Sequence, residues 1–190
     1  MMTLFNTTIA IYVKGKCGLS EKDEILPLTK DKDLLKSRIQ GLELSGGTAG
    51  HLGTAWAWYV LSPNWSSLWP SASKPAAYGS TVEKIAILMT DGEYNIGYDA
   101  YGLQHDMPGA GSPVNGNSPA QALSLCANMK QKGIKIYTIG FALGGNQTAI
   151  DTLKSCATDS STTYTADNGN ELKQAFRDIA RKVSPIYLSQ

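Results

Sequence analysis

Residues 84–93 read KIAILMTDGE, and the five consecutive apolar residues from Ile85 to Met89 constrain the fold more than any other stretch. A strand with one wet face alternates apolar and polar residues. A continuous run of strand length instead predicts a strand covered on both faces, the signature of a parallel sheet. Parallel neighbours need crossover connections, so helices must alternate with strands along the chain. The run stops at Thr90, Asp91, Gly92 and Glu93. Loops that leave the carboxyl ends of parallel strands build the ligand crevice of such sheets, which places the Asp91 carboxylate where chemistry is done.

The rest of the chain follows the alternation. Thr8 to Val13 is β-branched and aromatic and reads as a strand, Gly15 to Asp23 as a loop, and Ile25 to Leu28 as a short extended piece. Asp31 is placed to cap a helix carrying Leu34, Leu35, Ile39 and Leu42 at helical spacing, with Gly41 near its stop. The glycine-rich turn Ser45 to Gly50 opens a second helix over His51 to Leu61, with Leu52, Ala55, Trp56, Tyr59 and Val60 on one face and Pro63 at its end. Residues 63–81 form a loop with Trp65 and Trp69. Ser118 and Pro119 start a helix that reaches Gly133. Ile134 to Phe141 is a strand, Thr148 to Cys156 a helix and Thr162 to Thr165 a short strand. Glu171 to Val183 closes as a helix with Leu172, Phe176, Ile179 and Ala180 inward. With 190 residues, one domain spanning 1–190 is expected. The connection from Gly92 to Asn117 holds six glycines, two prolines and four tyrosine or histidine rings, and loops of that length are commonly functional.

Composition removes several classes of function. The net charge is +1 with 17 scattered basic residues, which lacks the footprint of a nucleic-acid or anionic-membrane binder. No apolar stretch approaches a bilayer span, and Met1 to Ala10 lacks the layout of a secretory signal. Cys17, Cys126 and Cys156 show no C-x-x-C spacing, and His51 and His105 are far apart in sequence, so a zinc cluster is not expected. The 126/156 pair reads equally as a disulfide or as two buried thiols.

Asp91 and the hydroxyl of Thr48 have the chemistry of direct or water-bridged Mg²⁺ ligands. This ion prefers a few hard oxygens and keeps several waters. Gly47 and Gly92 beside them admit a close backbone approach, and Glu93 and Tyr94 follow on the rim. Two plainer readings stand alongside: an Asx turn at Asp91, and Thr48 as the cap of the helix that follows.

The stretches LPLTKDKDLLKSRIQGLELSGGTAGHLGTAWAWYVLSP, AILMTDGEYN, LCANMKQKGIKIYTIGF and LKSCATDSSTTYTADNGNELKQAFRDIARKVSPIYLSQ cover most of residues 26–190. In this order they resemble a von Willebrand factor type A domain, specifically the TadG-like, tight-adherence pilus-assembly proteins of bacteria. The resemblance implies a Rossmann-like α/β fold with a mainly parallel central sheet flanked by helices. It also implies a metal-ion-dependent adhesion site including Thr48 and Asp91, and a Cys126–Cys156 disulfide, which would contribute about 3–4 kcal/mol by chain entropy. The family's Asp-x-Ser-x-Ser loop follows a first strand that precedes this chain's start. The fold is therefore expected to be N-terminally truncated and the site degenerate, with Mg²⁺ or another divalent cation held weakly or not at all. Asp159, Ser161 and Thr163 fit a similar pattern but follow a helix, and read as a turn into a strand.

The function expected from the resemblance is a non-catalytic protein-binding module for pilus assembly or adhesion, on the periplasmic or extracellular side of a bacterial envelope. An upstream transmembrane helix would anchor it. A partner's Asp or Glu would complete the ion's coordination, with loops 63–81 and 92–117 shaping the rim. The alternatives are a metal-independent envelope scaffold docking through apolar contacts, and a metal-assisted hydrolase using Asp91 and Glu93.

Overall fold

The computed structural model describes residues 24–42, 47–99, 104–105, 111–112 and 115–183. The expected strand at Thr8 to Val13 and Cys17 lie outside them.

Helix α1 spans Lys32–Gln40, and Asp31 caps it as expected, Oδ1 accepting from the amides of Asp33 (3.0 Å) and Leu34 (2.9 Å). No strand forms over Ile25 to Leu28. Helix α2 (Gly50–Leu61) leads into two short 3₁₀ turns, Pro63–Leu68 and Ser71–Ser73, and then strand β1 (Lys84–Thr90). The following connection carries two antiparallel two-residue ladders, β2 (Gly97–Tyr98) with β3 (Gln104–His105) and β4 (Gly111–Ser112) with β5 (Gly116–Asn117). Helix α3 (Ser118–Gln131), strand β6 (Ile134–Phe141), helix α4 (Gln147–Cys156), strand β7 (Thr163–Ala166) and helix α5 (Gly169–Val183) complete the order.

Strands β1, β6 and β7 pair in parallel with β6 in the middle, in registers running Lys84↔Ile134 to Thr90↔Gly140 and Thr138↔Thr163 to Phe141↔Ala166. Period-two alternation then divides the core. Ala86, Leu88, Ile134 and Ile136 pack with Ala57 and Leu61 of α2, Cys126 and Met129 of α3 and Cys156 of α4. On the other face Ile87, Tyr137 and Ile139 pack with Ala175 and Ile179 of α5. The apolar run beginning at Ile85 is thus covered on both sides, as its lack of alternation predicted.

Cys126 and Cys156 form a disulfide that joins α3 to the last residue of α4, with Cα atoms 5.1 Å apart and both residues fully buried. Lys130 reinforces this junction by donating to the carbonyls of Ser155 (2.9 Å) and Ala157 (3.0 Å), a cation at a helix carboxyl end.

Three local expectations need correction. Asn117, not Ser118, caps α3, its Oδ1 accepting from the Ala120 amide at 2.9 Å. Ser118 is instead buried. In α5 the inward face centres on Ala175 and Ile179, and Ala180 is exposed. In α2 the buried residues are His51, Gly53, Thr54, Ala57, Val60 and Leu61. Small residues let this helix lie close to the sheet and α3, while bulky Trp56 and Tyr59 turn outward. A helix apolar almost all round has no single stripe for sequence to reveal.

Candidate functional site

At the carboxyl end of β1 the chain turns sharply. The Thr90 hydroxyl donates to the Gly92 carbonyl (3.0 Å) and accepts from the Gly92 amide (3.3 Å), so Thr90 closes the turn rather than an Asx bond from Asp91. Asp91 is exposed, and among the described residues no hydrogen bond or ion pair holds its carboxylate.

The loop then clamps onto the start of α2. Asn95 Oδ1 accepts from the Thr48 amide (2.8 Å), and the Ile96 amide donates to the Thr48 carbonyl (3.1 Å). Between them the Tyr94 ring lies so close to Gly50 that a Cβ there would sit 2.2 Å from it. Gly47 is similarly hemmed in by Ile96 and Asn95. These two glycines permit a close approach of loop to helix. Tyr94, expected on the rim, is turned inward and buried, and burial pushes its phenol up to about 12 against the opposing effect of a hydrogen bond with Thr54. Thr48 is not the helix cap either. Ala49 holds that position, with no side-chain hydrogen bond to the first turn.

The structure thus brings the backbone of residue 48 to the loop that begins at Asp91, at one end of the sheet. Glu93 is tied on the far side, its Oε1 accepting from Asn146 Nδ2 at 2.7 Å. Asn146 also caps α4 through its other side-chain atom, bonding the Ala149 amide at 3.0 Å. One amide side chain therefore links the loop after β1 to the connection after β6. Asn95 and Asn146 were missed in the sequence, as was the pairing of His51 with Ser118, although His51 just inside a helix start reads as a structural histidine and is one. The cap at Asn146 was legible from Gly144-Gly145-Asn146 before a helix, but its partner was not. His51 Nδ1 lies 2.6 Å from Ser118 Oγ and staples the first turns of α2 and α3, and burial lowers the pKa of His51.

The 63–81 loop is not part of this rim. Lys84, the first residue of β1, donates from Nζ to the carbonyls of Leu61 (2.9 Å) and Ala76 (2.6 Å), fixing the end of α2 and this loop at the amino end of the strand. From there the loop runs back along the outer side of α2. Trp65 stacks on Tyr59, Trp69 meets Trp56 edge-on, and Trp69 Nε1 donates to the Tyr59 carbonyl. At 1.5 Å per residue, Trp56 is still about 12 Å along the helix from Thr48. The aromatics are therefore a separate surface. Asp159, too, lies before β7 at the amino ends of the strands, accepting from the Ser161 amide (2.8 Å) and hydroxyl (2.6 Å) in a capped turn, as its sequence context suggested.

At this rim Asp91 offers an exposed, unengaged carboxylate, whereas Thr48 is buried and is placed here through its backbone bonds. Among the described residues no three His, Cys, Asp or Glu side chains gather as they would round a metal ion. That donor set fits a cation only in part.

The von Willebrand factor type A domain family matches residues 20–178. The chain belongs to that family. Among solved structures, the type A domain here is similar to the von Willebrand domain of the type V pilus tip protein Mfa5 of Porphyromonas gingivalis, at 18% identity and a TM-score of 0.57 over 82% of this chain and 73% of that one. It is also similar to the pilus adhesin SpaC of Lactobacillus rhamnosus GG (12%, TM-score 0.55, 79% of this chain) and to proximal thread matrix protein 1 of the mussel byssus (22%, TM-score 0.52, 80% of this chain). This chain spans 20% of SpaC and 30% of the mussel protein. At these identities the likeness is one of fold. No curated protein matches in sequence.

Proposed function

We propose that this type A domain is a non-catalytic protein-binding module of a TadG-like pilus-assembly or adhesion protein. Its contact rim lies at the carboxyl end of β1, around Asp91 and Thr48. The observation that carries the reading is the division of labour at that rim. Thr90 makes the turn and Ala49 holds the helix cap, so neither structural job falls to Asp91 or to the Thr48 side chain. Resemblance in fold to domains of two pilus proteins supports the adhesive context, and a buried disulfide suits an oxidising, extracytoplasmic compartment.

Asp91 and Thr48 would hold a divalent cation such as Mg²⁺, with water completing the shell and Gly47, Gly92 and Glu93 bordering it. When bound, the cation supplies a hard positive centre that accepts a carboxylate oxygen from a partner. The protein's own part is orientation: the Asn95 and Ile96 bonds fix residue 48, and the Asn146 bond fixes Glu93. One charged ligand makes the site degenerate and its affinity low until a partner contributes. A second reading, a metal-independent scaffold of the envelope, is favoured by the fact that this hydrogen-bonded rim needs no ion to hold its shape. A hydrolase is less well supported, because the Glu93 carboxylate is engaged by Asn146 and the Ser118 and His51 pair is buried.

Calorimetric titration of the full chain with MgCl₂ and MnCl₂, beside Asp91→Asn, tests the reading. Binding heat in the wild type that disappears in the variant supports it. Equal heats in both, or none in either, would leave the scaffold.

A further inference from the structure

The aromatic surface on the outer side of α2 is independent of the rim. Tyr59 and Trp65 stack at 4.1 Å with their planes 26° apart, so one face of the Trp65 indole is covered. Trp65 is nevertheless 38% exposed. Leu68, three residues on in the same 3₁₀ turn and therefore eclipsed with Trp65, is 54% exposed. Exposed Asn64 and Ser67 occupy the adjoining side, and exposed Ser71 follows.

This platform is built to stay open. Ser66 Oγ donates to the Pro63 carbonyl (2.7 Å), the Trp65 and Trp69 amides donate to the carbonyls of Ser62 and Ser66, and Trp69 Nε1 anchors the turn to α2. A turn fixed in this way loses little entropy when something docks on it.

Charge selects the occupant. From Leu44 to Ser73 the sequence holds no Asp, Glu, Lys or Arg, in a chain that is 17% charged. The turn itself offers a flat apolar ring bordered by hydroxyls and an amide, and carries no charged side chain of its own. Its exposed apolar area, on the order of 200 Å² if a whole Trp side chain is about 250 Å², falls well short of the roughly 800 Å² per partner of a stable protein interface. It matches one or two sugar rings. A pyranose whose hydroxyls are equatorial presents a face of C–H groups, whose slight positive charge suits the negative face of an indole, while its hydroxyls reach to either side.

We propose that Trp65 and Leu68, with Asn64 and Ser67 beside them, form a docking platform for a neutral glycan. The probes are cellohexaose as a neutral, all-equatorial oligosaccharide and polygalacturonate as an acidic one, titrated into the full chain with tryptophan fluorescence and saturation-transfer NMR as readouts. Cellohexaose should bind, with transfer to its C–H protons, and Trp65→Ala should weaken binding about tenfold, while Trp65→Phe, which keeps a flat ring, should retain most of it. Leu68→Ser, which leaves the stack and the anchoring bonds in place, should weaken it less. Absence of cellohexaose binding in a folded wild type overturns the proposal, as does binding unchanged by Trp65→Ala or preference for the acidic polymer. Concentration-dependent self-association abolished by Trp65→Ala would equally overturn it, by assigning the surface to a second copy.

Discussion

Replacing Gly50 by alanine would place a Cβ 2.2 Å from the Tyr94 ring. Helix propensity alone predicts a gain, since alanine exceeds glycine by about 0.5–1 kcal/mol inside a helix. Packing predicts the reverse. Ordinary contact begins near 3.4 Å, so the ring must retreat by about 1.2 Å, and it is a rigid side chain only 7% exposed. Overpacking of this kind costs about 1–3 kcal/mol, which leaves a net loss of about 0–2.5 kcal/mol, with a midpoint of about 1 kcal/mol. At Gly47 the nearest atoms belong to the flexible end of Ile96, at 2.7 and 2.8 Å, and the cost of alanine there should be smaller. Urea denaturation reads the effect as a lower midpoint at unchanged slope. On a Tyr94→Leu background the clash is relieved, so Gly50→Ala should become neutral or stabilising, a coupling of about 1 kcal/mol or more. If Gly50→Ala stabilises the wild type, or if the two substitutions simply add, the loop does not clamp the helix through this contact.

Two further outcomes can be measured on the same protein. Cys126→Ser with Cys156→Ser should lower stability by about 3–4 kcal/mol from the 30-residue separation, and dithiothreitol should reproduce the loss in the wild type but not in the double variant. Burial places the His51 pKa below its ordinary 6.5, so on acidification the unfolded chain takes up the proton first. Stability should therefore be complete above that value and fall as pH drops through it toward the folded pKa. His51→Asn, which can still bond Ser118, should remove that part of the slope.

How much of this was legible in the sequence depended on whether the signal was local. The boundaries of β6 and the Asp31 cap follow from apolar runs and side-chain chemistry within a few residues. Asn117 displaced Ser118 as a cap because both are competent cap residues, and only tertiary burial of Ser118 against His51 decides between them. The rim's fasteners, Asn95 on residue 48 and Asn146 on Glu93, span 47 and 53 residues and leave no periodic trace. The placement of loop 63–81 was missed for a related reason. Its position is set by Lys84 Nζ reaching two carbonyls, and a lysine at the start of a strand ordinarily reads as solvated.

The distribution of charge separates the two readings of the rim. From Ile85 to Met129 the sequence contains Asp91, Glu93, Asp99 and Asp106 and no Lys or Arg, and the Glu93 carboxylate is held by a neutral amide that leaves its charge in place. A segment of that sign repels an acidic partner and attracts a basic one. If the rim docks proteins without an ion, its partners should be basic and their binding should weaken with salt whether or not Mg²⁺ is present. Capture of an acidic group requires the opposite. A cation must first invert the local sign, so binding should appear only when Mg²⁺ is added and vanish on chelation. The fasteners at Asn95 and Asn146 are compatible with both, since neutral donors hold the loop without neutralising it. The deciding variable is therefore the sign of the partner rather than the shape of the rim.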